Sequence, residues 1–368
     1  MKYLFINSVY GIRSTGKIIS TLCHDLMAAG NECIAAYGRG AIDDGITTVQ
    51  IGTKKDYLIH AGESRIFDNQ GLASKKATKK FIEKMEQYNP DVVWLHNIHG
   101  YYINFELLFG WIKRHPEMEV RWTLHDCWAF TGHCTHFTIA KCEKWKTHCL
   151  DCIQKKEYPT SFLLDASKSN YDKKRKAFSG VQHMTIITPS EWLAGLVKES
   201  FLKEYPVQVI NNTINEDIFK PTQSNFRNEY GLEDKHIVLG VAVRWESTKG
   251  FPDMLLLRKK LDESYVIVMV GLTKDQFKLL PAGVIGIERT QNQQQLAEIY
   301  TAADVFVNPT HQDNYPTVNL EARACGTPVV TYNVGGSPES AGYEHVVQEN
   351  DIDALAREIK SILRKEKA

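Results

Sequence analysis

Short apolar runs alternate with amphipathic stretches along the chain. Lys2–Val9, Glu32–Tyr37, Val92–His96, Arg121–Leu124 and Thr185–Thr188 are too short for helices and predict strands, with Val207–Asn212 leading into a connection. Gly16–Ala29 and Glu191–Leu202 lie between or after them and predict helices. In the second half Ile237–Val243 reads as a strand and Ile352–Arg364 as a final helix. Strands alternating with helices predict parallel sheets flanked by helices, an α/β architecture.

With 368 residues the chain is too long for one compact core and suits two domains. Their expected bounds are 1–212 and 213–350, with 351–368 as a closing helix. At the join stands Asn212-Thr213, whose β-branched Thr213 resists a positive φ, so that a left-handed turn there would be either strained or replaced by a different one. Net charge is zero, which argues against a dedicated nucleic-acid binder. It is unevenly shared: through Asn212 there are 27 Lys and Arg against 22 Asp and Glu, and after it 17 against 22. No stretch approaches the ~20 apolar residues of a membrane span, and the start of the chain turns polar too quickly for a signal peptide, so a cytoplasmic protein is expected. Basic clusters at Lys75-Lys76, Lys79-Lys80 and Lys173–Lys176 read either as solvated helix faces or as peripheral contacts with the inner face of a membrane.

Four segments carry candidate chemistry. Asp313 and Glu321 have seven residues between them, across a loop that enters a helix near Pro316. The N–H groups of Thr317, Val318 and Asn319 would face a diphosphate with the helix dipole behind them, and the carboxylates would take sugar hydroxyls; the plainer reading is an acidic helix cap. Upstream, the strand Ile237–Val243 ends in Arg244 and Lys249, two cations outside a carboxyl end, where α/β sheets bind ligands; a solvated surface is the alternative. The turn Gly11–Gly16 after the first strand lacks the glycine spacing of a dinucleotide turn and the Lys-Ser/Thr of a P-loop, leaving a close backbone approach or an ordinary turn. His125-Asp126 ends another strand, His125 toward a ligand or as a structural histidine, Asp126 as a cap.

Five of eight cysteines fall between Cys127 and Cys152. Cys134, Cys142, Cys149 and Cys152 could form a structural zinc site, but the first spacing is wider than in usual knuckles; buried free thiols and disulfides stay open.

Together Arg244-x4-Lys249, Leu296–Pro309, Asp313-x7-Glu321 and Ala324–Val330 followed by Gly335-Gly336-Ser-Pro-Glu339 resemble the retaining glycosyltransferases of family 4, and the resemblance covers nearly the whole chain. It implies the GT-B fold: two Rossmann-like domains with parallel sheets facing across an interdomain cleft, and a C-terminal helix crossing back to the first domain. It also implies a UDP- or GDP-sugar donor, a saccharide or lipid-linked acceptor, no organic cofactor, and chemistry that needs no metal. By resemblance Arg244 and Lys249 meet the diphosphate, Glu321 the ribose, Asp313 and His125 the sugar, and Gly16, Tyr315, Thr317 and Val318 line the nucleotide-sugar site. Asp313 departs from the family's usual Glu and reaches one methylene less far. The segment His125–Cys134 with Trp145-Lys146 is similar to members associated with exopolysaccharide assembly. A nucleotide-sugar isomerase or a non-catalytic nucleotide-sugar binder of the same fold are the rival functions.

Overall fold

The computed structural model describes residues 1–365, and the chain divides into two compact units, Met1–Asn211 and Asn212–Ala368. The first is built on seven parallel strands: β1 (Lys2–Asn7), β2 (Glu32–Tyr37), β3 (Thr47–Gln50), β4 (Val92–Leu95), β5 (Glu119–Thr123), β6 (Met184–Thr188) and β7 (Val207–Val209), in the order β3-β2-β1-β4-β5-β6-β7. The second has six parallel strands: β8 (His236–Val241), β9 (Tyr265–Val270), β10 (Val284–Ile287), β11 (Val305–Asn308), β12 (Val329–Tyr332) and β13 (Val346–Val347), in the order β10-β9-β8-β11-β12-β13. Both are the doubly wound α/β layers that the alternating pattern predicts. The central strands are buried on both faces, β9 along its whole length, which is why they read as unbroken apolar runs.

Each strand order reverses once, between β1 and β4 in the first sheet and between β8 and β11 in the second. Loops leaving the carboxyl ends of two such strands diverge to opposite sides and open a crevice. The candidate chemistry therefore has two places to gather, one in each unit.

Several element bounds shift from expectation. β1 stops at Asn7, and the first helix, Arg13–Ala28, begins before Gly16, so Gly16 lies buried in its first turn. A Cβ at Gly16 would stand 3.1 Å from the Gly11 nitrogen and 3.1 Å from a Val9 methyl, so the helix sits close on the turn that precedes it. β8 ends at Val241, and Val243 is fully exposed. Strand β3 went unread because its Thr-rich run is short and half-polar. Thr213 keeps a negative φ, so the join is turned differently rather than strained. The final helix, Ile352–Lys365, sets Leu355, Ile359, Ile362 and Leu363 into the same core as Val238, Met254 and Ile267, so its apolar face is buried within the second unit. No helix among the described residues is long and apolar enough to cross a membrane. In the basic run Lys173–Lys176, Lys174 turns inward and is buried, which removes it from any surface patch.

Candidate functional site

The reversal point of the second sheet gathers most of the charged candidates. After β8 the chain runs through Trp245, which is buried with its indole N–H donating to the Val270 carbonyl at 2.9 Å. A short 3-10 turn, Ser247–Lys249, follows, and Gly250 at φ 77° starts the helix Phe251–Arg258. A Cβ on Gly250 would lie 2.2 Å from the Pro309 carbonyl oxygen, so the loops after β8 and β11 touch backbone to backbone only because this residue is glycine. His311 N–H then donates to Thr248 O at 2.9 Å. This contact brings Lys249 against the β11 loop: its ammonium lies 2.5 Å from Asp313 Oδ2 and 3.4 Å from the Gln312 carbonyl.

Asp313 therefore does not cap the helix Thr317–Ala324, whose N-cap is Pro316 and whose start has no side-chain cap. The Asn319 N–H, one of three expected to face a ligand, turns back to the Pro316 carbonyl at 3.3 Å; Thr317 and Val318 form the first two positions of the helix. Tyr315 is partly buried, and its carbonyl accepts from the Asn212 amide at 3.1 Å. Glu321, partly buried in the second turn, accepts the Tyr300 hydroxyl at 3.1 Å. Arg244 stands apart from this pairing: its side chain is 70% exposed, with Glu246 3.8 Å away.

Two groups that sequence reasoning passed over hold the loop in place. Asn319 is buried; its carboxamide oxygen accepts from Asn308 at 2.8 Å, and its NH₂ donates to Ser337 and to Ser340 Oγ at 2.9 Å. His311 bridges Asp253 at 3.0 Å and Glu349 at 2.8 Å, and Tyr332 donates to the other Asp253 oxygen at 2.9 Å. The bond to Asp253, and behind it that to Glu349, raises the imidazole pKa above its ordinary value against the opposing effect of burial.

In the first unit the corresponding reversal point is lined by imidazoles. His96, one residue past β4, is buried, and its Nδ1 stands 2.9 Å from Nε2 of His125 at the end of β5, the rings nearly parallel. Burial pushes His125 down to about 4, opposed by Asp126 and helped by His99, and burial, with His125 behind it, pushes His96 well below its ordinary value, so both are neutral near pH 7. Asn7 at the end of β1 accepts the Asn97 N–H at 3.2 Å. Asp126 takes the Trp128 N–H at 2.9 Å but is not the cap of the short turn Trp128–Phe130, whose N-cap is Cys127, and it pairs with His99 at 2.8 Å. Although burial opposes it, His99 holds this carboxyl at about 2. His96 and His99 follow the carboxyl end of β4 as His125 follows that of β5, so the same strand-end position marks them in the sequence.

The cysteine segment packs as protein. Trp145 stacks on Phe137 with centroids 4.8 Å apart, and buried Lys174 donates to the carbonyls of Trp128 at 2.7 Å and Thr131 at 3.0 Å while lying 3.5 Å over the Trp128 ring. Buried His133 pairs with Asp68 at 2.5 Å. All eight cysteines are free thiols, so the disulfide reading falls away. Among the described residues no group of three or more His, Cys, Asp or Glu side chains is disposed to hold a metal ion, so the four-thiolate arrangement expected from Cys134, Cys142, Cys149 and Cys152 is not formed. Cys134 and Cys152 act on each other, the thiol of Cys134 pushed well up and that of Cys152 drawn down to about 7, while burial pushes Cys149 up to about 11.

Residues 222–368 match the family described as glycosyl transferases group 1. The Escherichia coli protein named colanic acid biosynthesis glycosyl transferase WcaC is 27% identical over 261 residues, covering 66% of this chain and 59% of that one. D-inositol 3-phosphate glycosyltransferase of Streptosporangium roseum is 34% identical over 152 residues, 35% of this chain and 34% of that one. The chain thus spans less than two thirds of the length of these relatives. Among solved structures, sucrose-phosphate synthase from Thermosynechococcus elongatus superposes with a TM-score of 0.67 at 17% identity, over 100% of this chain and 90% of that one. The Anabaena protein HepE, in complex with UDP and glucose, gives 0.64 at 12%, over 100% and 91%. At these identities the structures speak for the fold, two Rossmann-like parallel-sheet units of the GT-B type.

Proposed function

We propose, from the premise that residues 222–368 belong to the glycosyl transferases group 1, that this protein moves a sugar from a UDP- or GDP-sugar to a hydroxyl of a saccharide or lipid-linked acceptor in polysaccharide-type biosynthesis, with retention at the anomeric carbon. The observation that carries the reading is the Lys249–Asp313 pair beside the uncapped start of Thr317–Ala324, at the reversal point of the second sheet. An ammonium has three N–H donors. One meets Asp313 and one the Gln312 carbonyl, which orients the third for a phosphate oxygen.

As the bond to the sugar breaks, negative charge grows on the departing diphosphate. Lys249 and the helix start offer it fixed positive charge, and Arg244, extended into solvent, can swing onto it. Glu321, oriented by Tyr300, takes the ribose hydroxyls. Asp313 holds Lys249 and, with its second oxygen, a sugar hydroxyl. The neutral imidazole of His125 offers a hydrogen bond to a sugar hydroxyl without adding charge.

The test is a panel of UDP-, GDP- and dTDP-sugars scored by thermal stabilisation. The stabilising donor is then incubated with and without saccharide acceptors, and the products are followed by NMR. A new glycosidic bond of the donor's own anomeric configuration supports the reading. Rearrangement of the donor alone would make the protein an isomerase, and stabilisation by none of them would remove the nucleotide-sugar site.

A further inference from the structure

His96 and His125 meet nitrogen to nitrogen just past the carboxyl ends of adjacent strands, and the contact fixes where each ring carries its proton. The backbone of His96 is held from both sides: its N–H donates to the Ile6 carbonyl on β1 at 2.9 Å, and its carbonyl accepts the indole N–H of Trp122 on β5 at 3.1 Å. Its Nδ1 stands 2.9 Å from His125 Nε2. A contact of that length is a hydrogen bond with one proton in it, so one nitrogen donates and the other is bare.

Both rings are neutral near pH 7, so each carries a single N–H. Two arrangements follow. In one, His96 Nδ1–H donates to His125 Nε2, which leaves His125 protonated on Nδ1. In the other, His125 Nε2–H donates to His96 Nδ1, which leaves His96 protonated on Nε2.

The surroundings of His96 Nε2 decide between them. That atom is buried and has no hydrogen-bond partner among the described residues. The aromatic rings beside it, Trp94 and Phe5, lie 21° and 35° from its plane, so an N–H, which points along that plane, would meet ring edges and not π faces. Ring edges carry partial positive charge, which repels an N–H and suits a bare nitrogen. The second arrangement would bury an orphan donor, which folded proteins seldom tolerate. Nor does a carboxylate orient His125, as in a Ser-His-Asp triad. Asp126 is engaged with His99 at 2.8 Å and with the Trp128 N–H at 2.9 Å.

We propose that His96 is a positioning residue, whose Nδ1–H holds His125 in the Nδ1-protonated form so that the ring meets the sugar as a fixed hydrogen-bond donor. This rests on the reading that His125 faces the donor sugar, and adds which proton is offered and what keeps it there. A ring locked this way gives its Nδ1 proton to an oxygen lone pair and cannot take a hydroxyl proton at that nitrogen.

The test begins without any nucleotide-sugar. The full chain, carrying nitrogen-15 in its histidines, is observed by long-range proton–nitrogen correlation at pH 7, and the His125 signals are identified by their loss in His125→Ala. His125 is expected to be protonated on Nδ1 and bare on Nε2, and to shift toward protonation on Nε2 in His96→Leu. Turnover is then compared in a double-mutant cycle. His96→Leu is expected to lower it about fivefold, the scale of one neutral hydrogen bond, and to add almost nothing to the loss in His125→Ala. His96→Asn, whose amide can donate from nearly the same place, is expected to keep the Nδ1 form and most of the turnover. His125 protonated on Nε2 in the wild type would overturn the proposal. So would a His96→Leu loss that persists in full on the His125→Ala background, the mark of a merely structural role. If the tautomer is as expected and His125→Ala leaves turnover intact, the reading that sets His125 at the sugar fails, and with it the part of His96 in transfer.

Discussion

At the reversal point of the first sheet the strand ends present two stacked, uncharged imidazoles, His96 and His125; at that of the second they present an ion pair, Lys249 and Asp313. The topological position is the same, and what differs is burial. His96 is closed off from water and, with His125 beside it, is held neutral, whereas Lys249 and Asp313 pair with 38% and 22% of their side chains exposed to solvent. One end is suited to hydroxyl groups and the other to phosphate, a division that the shared architecture does not dictate.

That contrast can be broken most forcibly at Lys249. Lys249→Ala is expected to cut turnover at least ~10²-fold in an assay with the identified donor, the scale of a lost charge-stabilising group; wild-type turnover would remove the charged end from the chemistry. Glu321→Ala should fall by a similar ~10², with the loss shared between turnover and donor affinity. Tyr300→Phe sharpens this by removing only the neutral hydrogen bond that orients Glu321, and should weaken donor binding by about fivefold in calorimetry.

The neutral end makes a different prediction. Because His125 titrates near 4, its contribution to a rate profile should be flat from pH 5.5 to 8, and His125→Ala should lower the rate without moving the profile's inflections. A new inflection near pH 6.5 in the wild type that vanishes in this variant would show a charged imidazole instead. The smallest expected effect is at His311. Its folded pKa lies above the unfolded value, so the stabilisation it provides is complete below about pH 6.5 and fades as pH rises through the raised value. Melting temperature should decline across that window in the wild type and less steeply in His311→Gln.

Lys249 and Asp313 stand out in the sequence because each follows a strand end, and Glu321 because it lies in the helix that opens after Pro316; those are local patterns. That Lys249 would meet Asp313 could not, since the two are 64 residues apart and only the crossing of the loops at Gly250 brings them together. The cysteine segment shows the same limit: spacing gave four plausible ligands, but which sulfur meets which depends on how Lys174 and the Trp145 stack fold the segment. Fold class needed no such long-range information, because buried parallel strands write themselves as apolar runs.

Asn319 ties the start of Thr317–Ala324 to β11 and to the helix Ser337–Ala341 through four side-chain contacts. A cradle fixed this way is assembled when the chain folds, so little ordering remains for an arriving anion to bring about. Crystals grown with and without nucleotide should therefore superpose over residues 316–324, and whatever rearranges on binding should be sought in mobile side chains such as Arg244.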